Sequence, residues 1–236
     1  MTYSKELPKH VGIIMDGNRR WAKKHHLPVA VGHSKGAENF KNLAIYCNKI
    51  GLKNMTVYAF STENWKRSEA EISALMLLFK KYVNDVLNKF EDENIKIKFI
   101  GNTSKFSEDI NRGIENVEKK TASKTGMQLN IAMNYGSRAE IISAAQKISK
   151  KIIDGELKSE EITEENFSAY LYTKGLPDPD LIIRTAGEQR LSNFLLWQSA
   201  YAEFYFSDIL WPDFDAKEFD KAIEEYLKRT RKFGGQ

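Results

Sequence analysis

The stretch that decides the fold is residues 10–21, HVGIIMDGNRRW, in which an apolar run gives way to polar and charged residues. Val11 to Met15 has the length and β-branched content of a strand that is buried on both faces, as in a parallel sheet. Asp16 and Gly17 then end the strand. The aspartate could hold a hard cation, the glycine lets backbone approach a ligand, and the following arginines could bind phosphate oxygens. The stretch therefore indicates a site for a metal diphosphate, although the same residues would also suit a surface turn.

The composition indicates a globular protein without a membrane-spanning segment. The chain has 236 residues, of which 42% are hydrophobic and 29% charged, enough for a sizeable core. No apolar run approaches the roughly 20 residues that a membrane helix needs, and the first residues lack the apolar centre of a signal peptide. We therefore expect a cytoplasmic protein that contacts the inner face of a membrane only peripherally. Cys47 is the only cysteine, which excludes an intrachain disulfide and a cysteine-rich zinc site.

Charge and motifs disfavour several classes of function. The net charge is +4, but the basic residues are spread among 32 acidic ones rather than gathered in a block, which disfavours nucleic acid as a partner. The four histidines have no metal-ligand spacing, and neither a P-loop nor a dinucleotide fingerprint is present. A small phosphorylated ligand in a local basic pocket fits this composition best.

Strands and helices are predicted to alternate along the whole chain. Because no linker, repeat or low-complexity tract interrupts them, this alternation predicts a single α/β domain with a central, mostly parallel six-stranded sheet and helices on both faces. Residues 21–33 are predicted to be irregular. The predicted strands cover residues 11–15, 55–60, 95–101, 129–135, 181–185 and 202–206, and the helices begin near residues 34, 68, 107, 137, 163 and 215.

Polar residues at the ends of the predicted strands define a candidate site. Asp16, Ser61, Asn64 and Arg184 stand at or just beyond these ends. In a parallel sheet the carboxyl ends of the strands meet at one rim, where ligands bind in such folds. Residues 184–194, RTAGEQRLSNF, repeat the combination of arginine, glycine and serine between apolar stretches. They indicate a second phosphate site at the same rim.

Three features have alternatives that the residues alone leave open. Glu203, between aromatic residues, is either the buried partner of an arginine or a second carboxylate for the metal. His33 could meet a phosphate or could be a surface histidine. The apolar side chains of residues 72–90 could wall a tunnel or form an ordinary core, and the residues by themselves favour the core.

Four longer motifs occur in order along the chain. They are MDGNRRW at 15–21, YAFSTENW at 58–65, NYG at 134–136 and SNFLLWQ at 192–198. With these motifs the chain resembles the cis-prenyltransferases, most closely the bacterial undecaprenyl diphosphate synthases, from about residue 10 to residue 235. The resemblance implies a magnesium-dependent homodimer that extends an allylic diphosphate such as farnesyl diphosphate with isopentenyl diphosphate, each new double bond being cis. It also implies an apolar tunnel, an undecaprenyl product for the cell-wall lipid carrier, and a tail at 230–236 that reaches across the dimer.

The resemblance assigns roles to individual residues. Asp16 matches the magnesium-binding aspartate that helps the allylic diphosphate leave, and Glu203 matches a second metal-associated acid. Asn64 matches the residue proposed to help remove the proton after condensation. The cradle of the allylic diphosphate corresponds to Gly17, Asn18, Arg19, Arg20 and His33, with Trp21 completing its motif. The isopentenyl diphosphate site corresponds to Arg67, Arg184, Arg190, Leu191 and Ser192, and Ser61, Thr62, Glu63 and Trp65 lie beside Asn64.

The sequence also departs from the family, and other functions stay open. Val29 stands where bacterial relatives usually carry an arginine that reaches the allylic diphosphate, so one charged contact is missing. One alternative is a shorter-chain cis-prenyl diphosphate synthase with a blocked tunnel. Another is a catalytically silent isoprenoid-binding partner subunit, which the retention of Asp16, Asn64, Arg190 and Glu203 disfavours.

Overall fold

Six parallel strands form the central sheet. The computed structural model describes residues 6–66, 68–90 and 92–231. The strand order across the sheet is the third, fourth, second, first, fifth and sixth of the chain, and each neighbouring pair is parallel. The predicted α/β fold class is therefore confirmed. The strands are β1 (His10–Ile14), β2 (Asn54–Ser61), β3 (Lys96–Ile100), β4 (Gln128–Tyr135), β5 (Leu181–Arg184) and β6 (Glu203–Phe206).

The helices begin close to most of the predicted positions. Ser68, Thr163 and Asp215 each accept a backbone N–H at the start of a helix, as N-cap residues do. Within the described ranges no helix is both long and apolar enough to cross a membrane. The α-helices are α1 (Asn18–Lys24), α2 (Val29–Lys49), α3 (Glu69–Lys89), α4 (Glu108–Thr121), α5 (Ser137–Ile153), α6 (Glu164–Ser168) and α7 (Ala216–Lys228), and short 3-10 helices cover Thr62–Lys66, Thr103–Lys105, Ser159–Glu161 and Trp211–Asp213.

The prediction that residues 21–33 are irregular is wrong, because α1 and the first turn of α2 occupy most of this range. Gly32 and Gly36 disfavour a helix interior by propensity, yet both lie inside α2. A β-carbon at Gly32 would lie 2.2 Å from the carbonyl oxygen of Asn18. The two glycines thus let α1 pack closely on α2, and this tertiary contact outweighs the local propensity.

Ser137 and Glu140, which have the spacing of a capping box, do not cap α5. Gly136 occupies the N-cap position, and the Ser137 hydroxyl accepts a hydrogen bond from the backbone N–H of Leu196 at 3.0 Å. Glu140 is buried and accepts a hydrogen bond of 2.5 Å from the hydroxyl of Tyr135. Both side chains therefore form tertiary contacts instead of ending the helix.

Alternate residues of the strands pack into two cores on opposite faces of the sheet. In β1, Val11 and Ile13 join the core formed with α2, α3, α4 and α7, whereas Ile14 joins a smaller core with Phe194 and Leu195. All residues of β1 are buried, as expected for a strand that is covered on both faces. The carboxyl ends of the strands are left free at one rim, and α1 begins there.

Candidate active site

Asp16 is fixed at the carboxyl rim directly after β1. Its backbone N–H donates to the hydroxyl of Thr185 at 3.0 Å, and that hydroxyl donates to the Asp16 carbonyl oxygen at 2.7 Å. The following residue, Gly17, has φ 114°, and a β-carbon there would lie 3.1 Å from the Cα of Leu210. A left-handed glycine is therefore required for the chain to turn from the aspartate into α1.

Two arginines contact the carboxylate of Asp16. Nη2 of Arg184 donates to Oδ2 at 3.0 Å, and Nη2 of Arg20 lies 3.2 Å from Oδ1. Arg184 is only 4% exposed, and its Nη1 donates to the carbonyl oxygen of Arg190 at 2.6 Å and to the hydroxyl of Ser192 at 2.7 Å. The Asp16 side chain is 30% exposed. Arg20 also pairs with Glu188 at 3.3 Å, and Glu188 in turn pairs with Arg190. Three guanidinium groups thus face two carboxylates, and this local positive charge suits an anion bound together with a cation.

A cavity of about 690 Å³ opens at this rim and is lined by β2, β4, α2 and α3. Its size lies within the range of small-molecule sites. Apolar side chains of α3 that line it, among them Val83, Val86 and Phe90, also belong to the buried core, so the cavity and the core share this helix face. The lining is polar at the rim, with Asp16, Asn18, His33, Ser61, Asn64 and Arg184, and apolar inside, with Phe40, Leu75, Phe79, Val83, Val86 and Phe90.

Asn64 reaches the cavity from the 3-10 turn Thr62–Lys66 that follows β2. Its Oδ1 accepts a hydrogen bond of 3.1 Å from the backbone N–H of Ser61. Glu63 of the same turn also lines the cavity. Burial alone would raise the pKa of Glu63, but hydrogen bonds, chiefly from Asn193, hold that pKa below its ordinary value. The turn therefore presents an amide and an ionised carboxylate to the cavity.

A metal at this rim would depend on Asp16. In residues 6–66, 68–90 and 92–231, no three His, Cys, Asp or Glu side chains come together in a way that could hold a metal ion. Mg²⁺ binds through one or two carboxylates and completes its shell with waters and substrate phosphates. A single carboxylate between two arginines therefore fits a Mg²⁺ ion that arrives with a diphosphate, and it does not fit a preformed protein cage.

Comparison with known proteins places this site in a family. A family model described as "Putative undecaprenyl diphosphate synthase" matches residues 14–234. The chain belongs to the undecaprenyl diphosphate synthase family. The isoprenyl transferase of Fusobacterium nucleatum is 52% identical over 231 residues, which are 98% of this chain and 97% of the relative. The isoprenyl transferase of Bacillus subtilis is 48% identical over 230 residues, 98% of this chain and 88% of the relative.

Two solved structures share the fold of this family member. Lavandulyl diphosphate synthase from Lavandula x intermedia, in complex with dimethylallyl diphosphate, has a TM-score of 0.93 and 38% identity, covering 97% of this chain and 98% of that one. A "probable undecaprenyl diphosphate synthase" from Campylobacter jejuni has a TM-score of 0.79 and 38% identity, covering 98% and 99%. The predicted enzyme class, a cis-prenyltransferase, is thereby confirmed.

Within one chain of this synthase-family protein, Glu203 lies at the other end of the sheet from Asp16. It is the first residue of β6, opposite Leu181 at the amino end of β5, whereas Asp16 follows the carboxyl end of β1. Three strand residues, about 10 Å, separate Glu203 from the rim. Its Oε2 accepts a hydrogen bond of 2.7 Å from Nη1 of Arg229. Within one chain Glu203 therefore pairs with an arginine, partly exposed rather than buried, and its role as a second metal-associated acid stays a prediction.

Several other predicted residues lie near the rim but not on the cavity. Arg19 is exposed and lies 3.5 Å from the carboxylate of Glu71, and Arg190 is exposed and pairs with Glu188. Nε1 of Trp21 donates to a carboxylate oxygen of Asp213 at 2.8 Å. Arg19 and Arg190 each keep further N–H donors exposed beside these partners, whereas the single indole N–H of Trp21 is engaged.

The remaining predicted residues differ in how directly they reach the cavity. Ser192 lines it together with its neighbour in the SNF motif, whereas Leu191 packs against the core on the opposite face of the sheet. Thr62 and Trp65 belong to the turn that carries Asn64. Arg67 and the end of the tail at 230–236 lie outside the described residues.

Sequence reasoning missed residues that fix the site without carrying charge. Thr185 bonds to both backbone groups of Asp16, and its only signal was its place directly after Arg184. Asn134 and Asn193 contact the turn that carries Asn64. Both occur in motifs that the sequence analysis quoted, but the motifs alone gave these asparagines no partner.

Proposed function

We propose that this enzyme extends farnesyl diphosphate, or another allylic diphosphate, by successive additions of isopentenyl diphosphate with cis geometry. The observation that supports this proposal most is the division of the cavity into a polar rim and an apolar interior. An allylic diphosphate has the same division, because its diphosphate is charged and its prenyl chain is apolar. Each methylene buried in the interior would contribute about 0.8 kcal/mol.

At the rim, we assign the leaving diphosphate to Asp16 and its neighbours. Asp16 would hold Mg²⁺, which when bound supplies charge neutralisation to the leaving diphosphate oxygens. Arg20 and the backbone of Gly17 would orient that diphosphate, together with Asn18, Arg19 and His33. Preorganised donors of this kind stabilise charge where it develops in the transition state.

We assign the second substrate to the residues that follow β5. Arg184, Arg190 and Ser192 would bind the diphosphate of isopentenyl diphosphate, with Arg67 completing the site. Arg184 contacts Asp16 directly at 3.0 Å, so the two diphosphates would bind side by side and bring the reacting carbons together. Asn64 would help to remove the proton after condensation. The apolar interior would keep water from the allylic cation.

We further infer that the product is a long polyprenyl diphosphate, undecaprenyl diphosphate for the cell-wall lipid carrier, made by a homodimer. The family to which the chain belongs supports this inference, as do the apolar residues of α3 that line the cavity. We also propose that the enzyme contacts the membrane peripherally when it carries its product. The lavandulyl relative, in complex with dimethylallyl diphosphate, makes a shorter-chain product the second candidate.

Product analysis would test the proposal. The purified protein would be incubated with labelled isopentenyl diphosphate, Mg²⁺ and either farnesyl or dimethylallyl diphosphate, with and without a chelator. We expect a ladder from farnesyl diphosphate that ends in a long product and disappears with the chelator. A single short product would favour the shorter-chain alternative. No product from either primer, with the protein folded, would contradict the proposal and favour a silent partner subunit.

A further inference from the structure

We propose that Asn134 and Asn193 are positioning residues that together hold the turn Thr62–Lys66, so that Asn64 faces the cavity rim. The inference rests on the proposed function, because it explains how the residue assigned to proton removal is placed. It also gives a role to the asparagines of the NYG and SNF motifs.

The turn needs support from outside because its own structure is weak. It is a 3-10 helix of five residues beyond the last residue of β2, and the hydrogen bonds of a 3-10 helix have poorer geometry than those of an α-helix. Oδ1 of Asn64 accepts a hydrogen bond from the backbone N–H of Ser61. This bond shapes the turn locally but does not attach it to the rest of the sheet.

Asn134 attaches one end of the turn to the neighbouring strands. It lies near the carboxyl end of β4, which is the strand between β2 and β3. Its Oδ1 accepts a hydrogen bond of 2.7 Å from Nε1 of Trp65, and its Nδ2 donates to the carbonyl oxygen of Asn102 at 2.5 Å. The side chain is only 5% exposed. Both functions of one amide thus connect the segments that follow the two strands beside β4.

Packing of the Trp65 indole fixes the orientation of this hydrogen bond. The Trp65 ring lies edge-on to Phe60, with centroids 5.3 Å apart, and is tilted against Phe106 at 6.2 Å. Ring contacts fix the plane of the indole, and the acceptor on Asn134 fixes its direction. Because Asn64 immediately precedes Trp65, the orientation of the indole determines the placement of Asn64.

Asn193 attaches the other end of the turn. Its Nδ2 donates to Oε1 of Glu63 at 2.8 Å, and its Oδ1 accepts from the backbone N–H of Arg138 at 2.8 Å. Its carbonyl oxygen also accepts from the N–H of Ser137 at 2.8 Å. The two asparagines therefore bond to the residues on either side of Asn64.

The backbone explains why these positions carry asparagine. Asn134 has φ 45° and Asn193 has φ 65°, in the left-handed region where asparagine is among the few tolerated side chains. Gly136 lies where the asparagines and the turn come close together. A β-carbon there would lie 2.4 Å from Oγ1 of Thr62 and 2.7 Å from Nδ2 of Asn193, so a residue without a β-carbon leaves room for both. The arrangement thus needs a small residue at 136 and amides on both sides.

The principal test compares Asn134→Ala with Asn130→Ala, a matched control on the same strand. Asn130 is also buried, and it bonds to Thr56 at 3.2 Å, away from the turn. We expect Asn134→Ala to lower kcat about 100-fold, as small misplacements of reacting groups do. The Kd of farnesyl thiodiphosphate should change less than about threefold, because the cradle at Asp16 is intact. Asn130→Ala should lower the melting temperature without this loss of kcat. An equal kcat for Asn134→Ala and the wild type would overturn the proposal.

A double-mutant cycle tests the contact itself. Asn134→Ala and Trp65→Phe each remove the same hydrogen bond, so the double variant should lose no more kcat than the worse single variant, within about twofold. Multiplicative losses would contradict the proposal. Asn193→Ala serves as the second variant if Asn134→Ala does not fold.

Hydrogen exchange separates this inference from the proposed function. We expect peptide amides of residues 61–66 to exchange about tenfold faster in Asn134→Ala, and to be unchanged in Asn130→Ala. Unchanged exchange in both variants would overturn the positioning role even if the wild type elongates prenyl chains. Faster exchange in Asn134→Ala, together with a wild type that shows no elongation, would support the positioning role and contradict the proposed function alone.

Discussion

Both ends of the central sheet carry an arginine paired with a carboxylate, but only one end contributes to the cavity. At the amino end, Asp180 pairs with Arg231 and accepts hydrogen bonds of 2.7 and 3.1 Å from the backbone N–H groups of residues 9 and 10. At the carboxyl end, Asp16 pairs with Arg184, lines the cavity and keeps 30% of its side chain exposed. The arginine–carboxylate pair is thus surrounded by backbone N–H donors at the amino end and borders the cavity at the carboxyl end.

At the amino end the polar groups are engaged in contacts within the fold, whereas at the carboxyl end they remain available to a ligand. Asp180 joins the segment before β5 to the start of β1, so its carboxylate stabilises the contact between these two strands. Asp16 lies where β1 gives way to the N-terminus of α1, and its carboxylate faces the cavity. We therefore expect substitutions at the carboxyl end to affect chemistry and substitutions at the amino end to affect stability.

The largest expected effect is that of Asp16→Ala. Loss of the carboxylate removes the proposed metal ligand, so turnover should fall about 10³-fold, the scale of losing a key electrostatic contact to a transition state. The melting temperature should change by only a few degrees, because the side chain is partly exposed and Arg184 keeps two other acceptors. Elongation kinetics and a circular-dichroism melt would measure both quantities. A variant that turns over at the wild-type rate, or one that fails to fold, would remove Asp16 from this role.

Arg184→Lys should have the next largest effect. Lysine keeps the charge, but it cannot donate to Asp16, the Arg190 carbonyl and Ser192 with the geometry of a planar guanidinium. We expect kcat/KM for isopentenyl diphosphate to fall about 10- to 100-fold, at the scale of one charge-assisted contact. Arg112→Lys, on the exposed face of α4, is the matched control and should leave kcat/KM unchanged. If Arg184→Lys and Arg112→Lys had the same kcat/KM, the assignment of Arg184 to the isopentenyl diphosphate site would be wrong.

Asp180→Ala should show the opposite balance at the amino end. It leaves Arg231 and two backbone N–H groups without their carboxylate, which should cost about 2–3 kcal/mol of unfolding free energy. The turnover of the folded protein should change less than about twofold. Urea unfolding and elongation kinetics on the same preparation would measure the two effects. A large loss of turnover without loss of stability would break the comparison between the two ends.

His10 should make the amino end sensitive to pH. Burial lowers the pKa of His10 below its usual value, against the raising effects of the Pro177 carbonyl and Asp180. Below about pH 6.5 the unfolded chain therefore binds a proton that the native chain does not, and unfolding free energy should fall as the pH drops from 7 towards the native pKa. Urea midpoints at several pH values would show this slope, and His10→Gln should flatten it. An equal slope in the variant would assign the pH dependence to other groups.

The sequence predicts much of the rim because a parallel sheet gathers the carboxyl ends of its strands. Asp16, Asn64 and Arg184 are far apart in the chain, yet knowing that each follows a strand is enough to bring them together. Glu203 starts its strand, so by the same rule it lies at the other end of the sheet within one chain. The predicted strand at 202–206 already places Glu203 near its amino end, and the metal role of Glu203 rests on the family resemblance.

Contacts across long sequence separations explain what the sequence could not provide. Gly32 lies inside α2 because α1 packs against it, and no local pattern encodes that approach. Asn134 bonds to Trp65 across 69 residues, so its motif reveals a partner only when the chain is folded. Local patterns therefore predict elements and strand ends, whereas the supports of the site depend on tertiary packing.

A crystal structure with farnesyl thiodiphosphate and Mg²⁺ would test the central claim most directly. The account predicts the diphosphate at the carboxyl rim, with the cation on Asp16, Arg20 beside the phosphate oxygens, and the prenyl chain inside the cavity against Phe79. A diphosphate bound at the amino end near Arg229, or a prenyl chain lying outside the cavity, would contradict it.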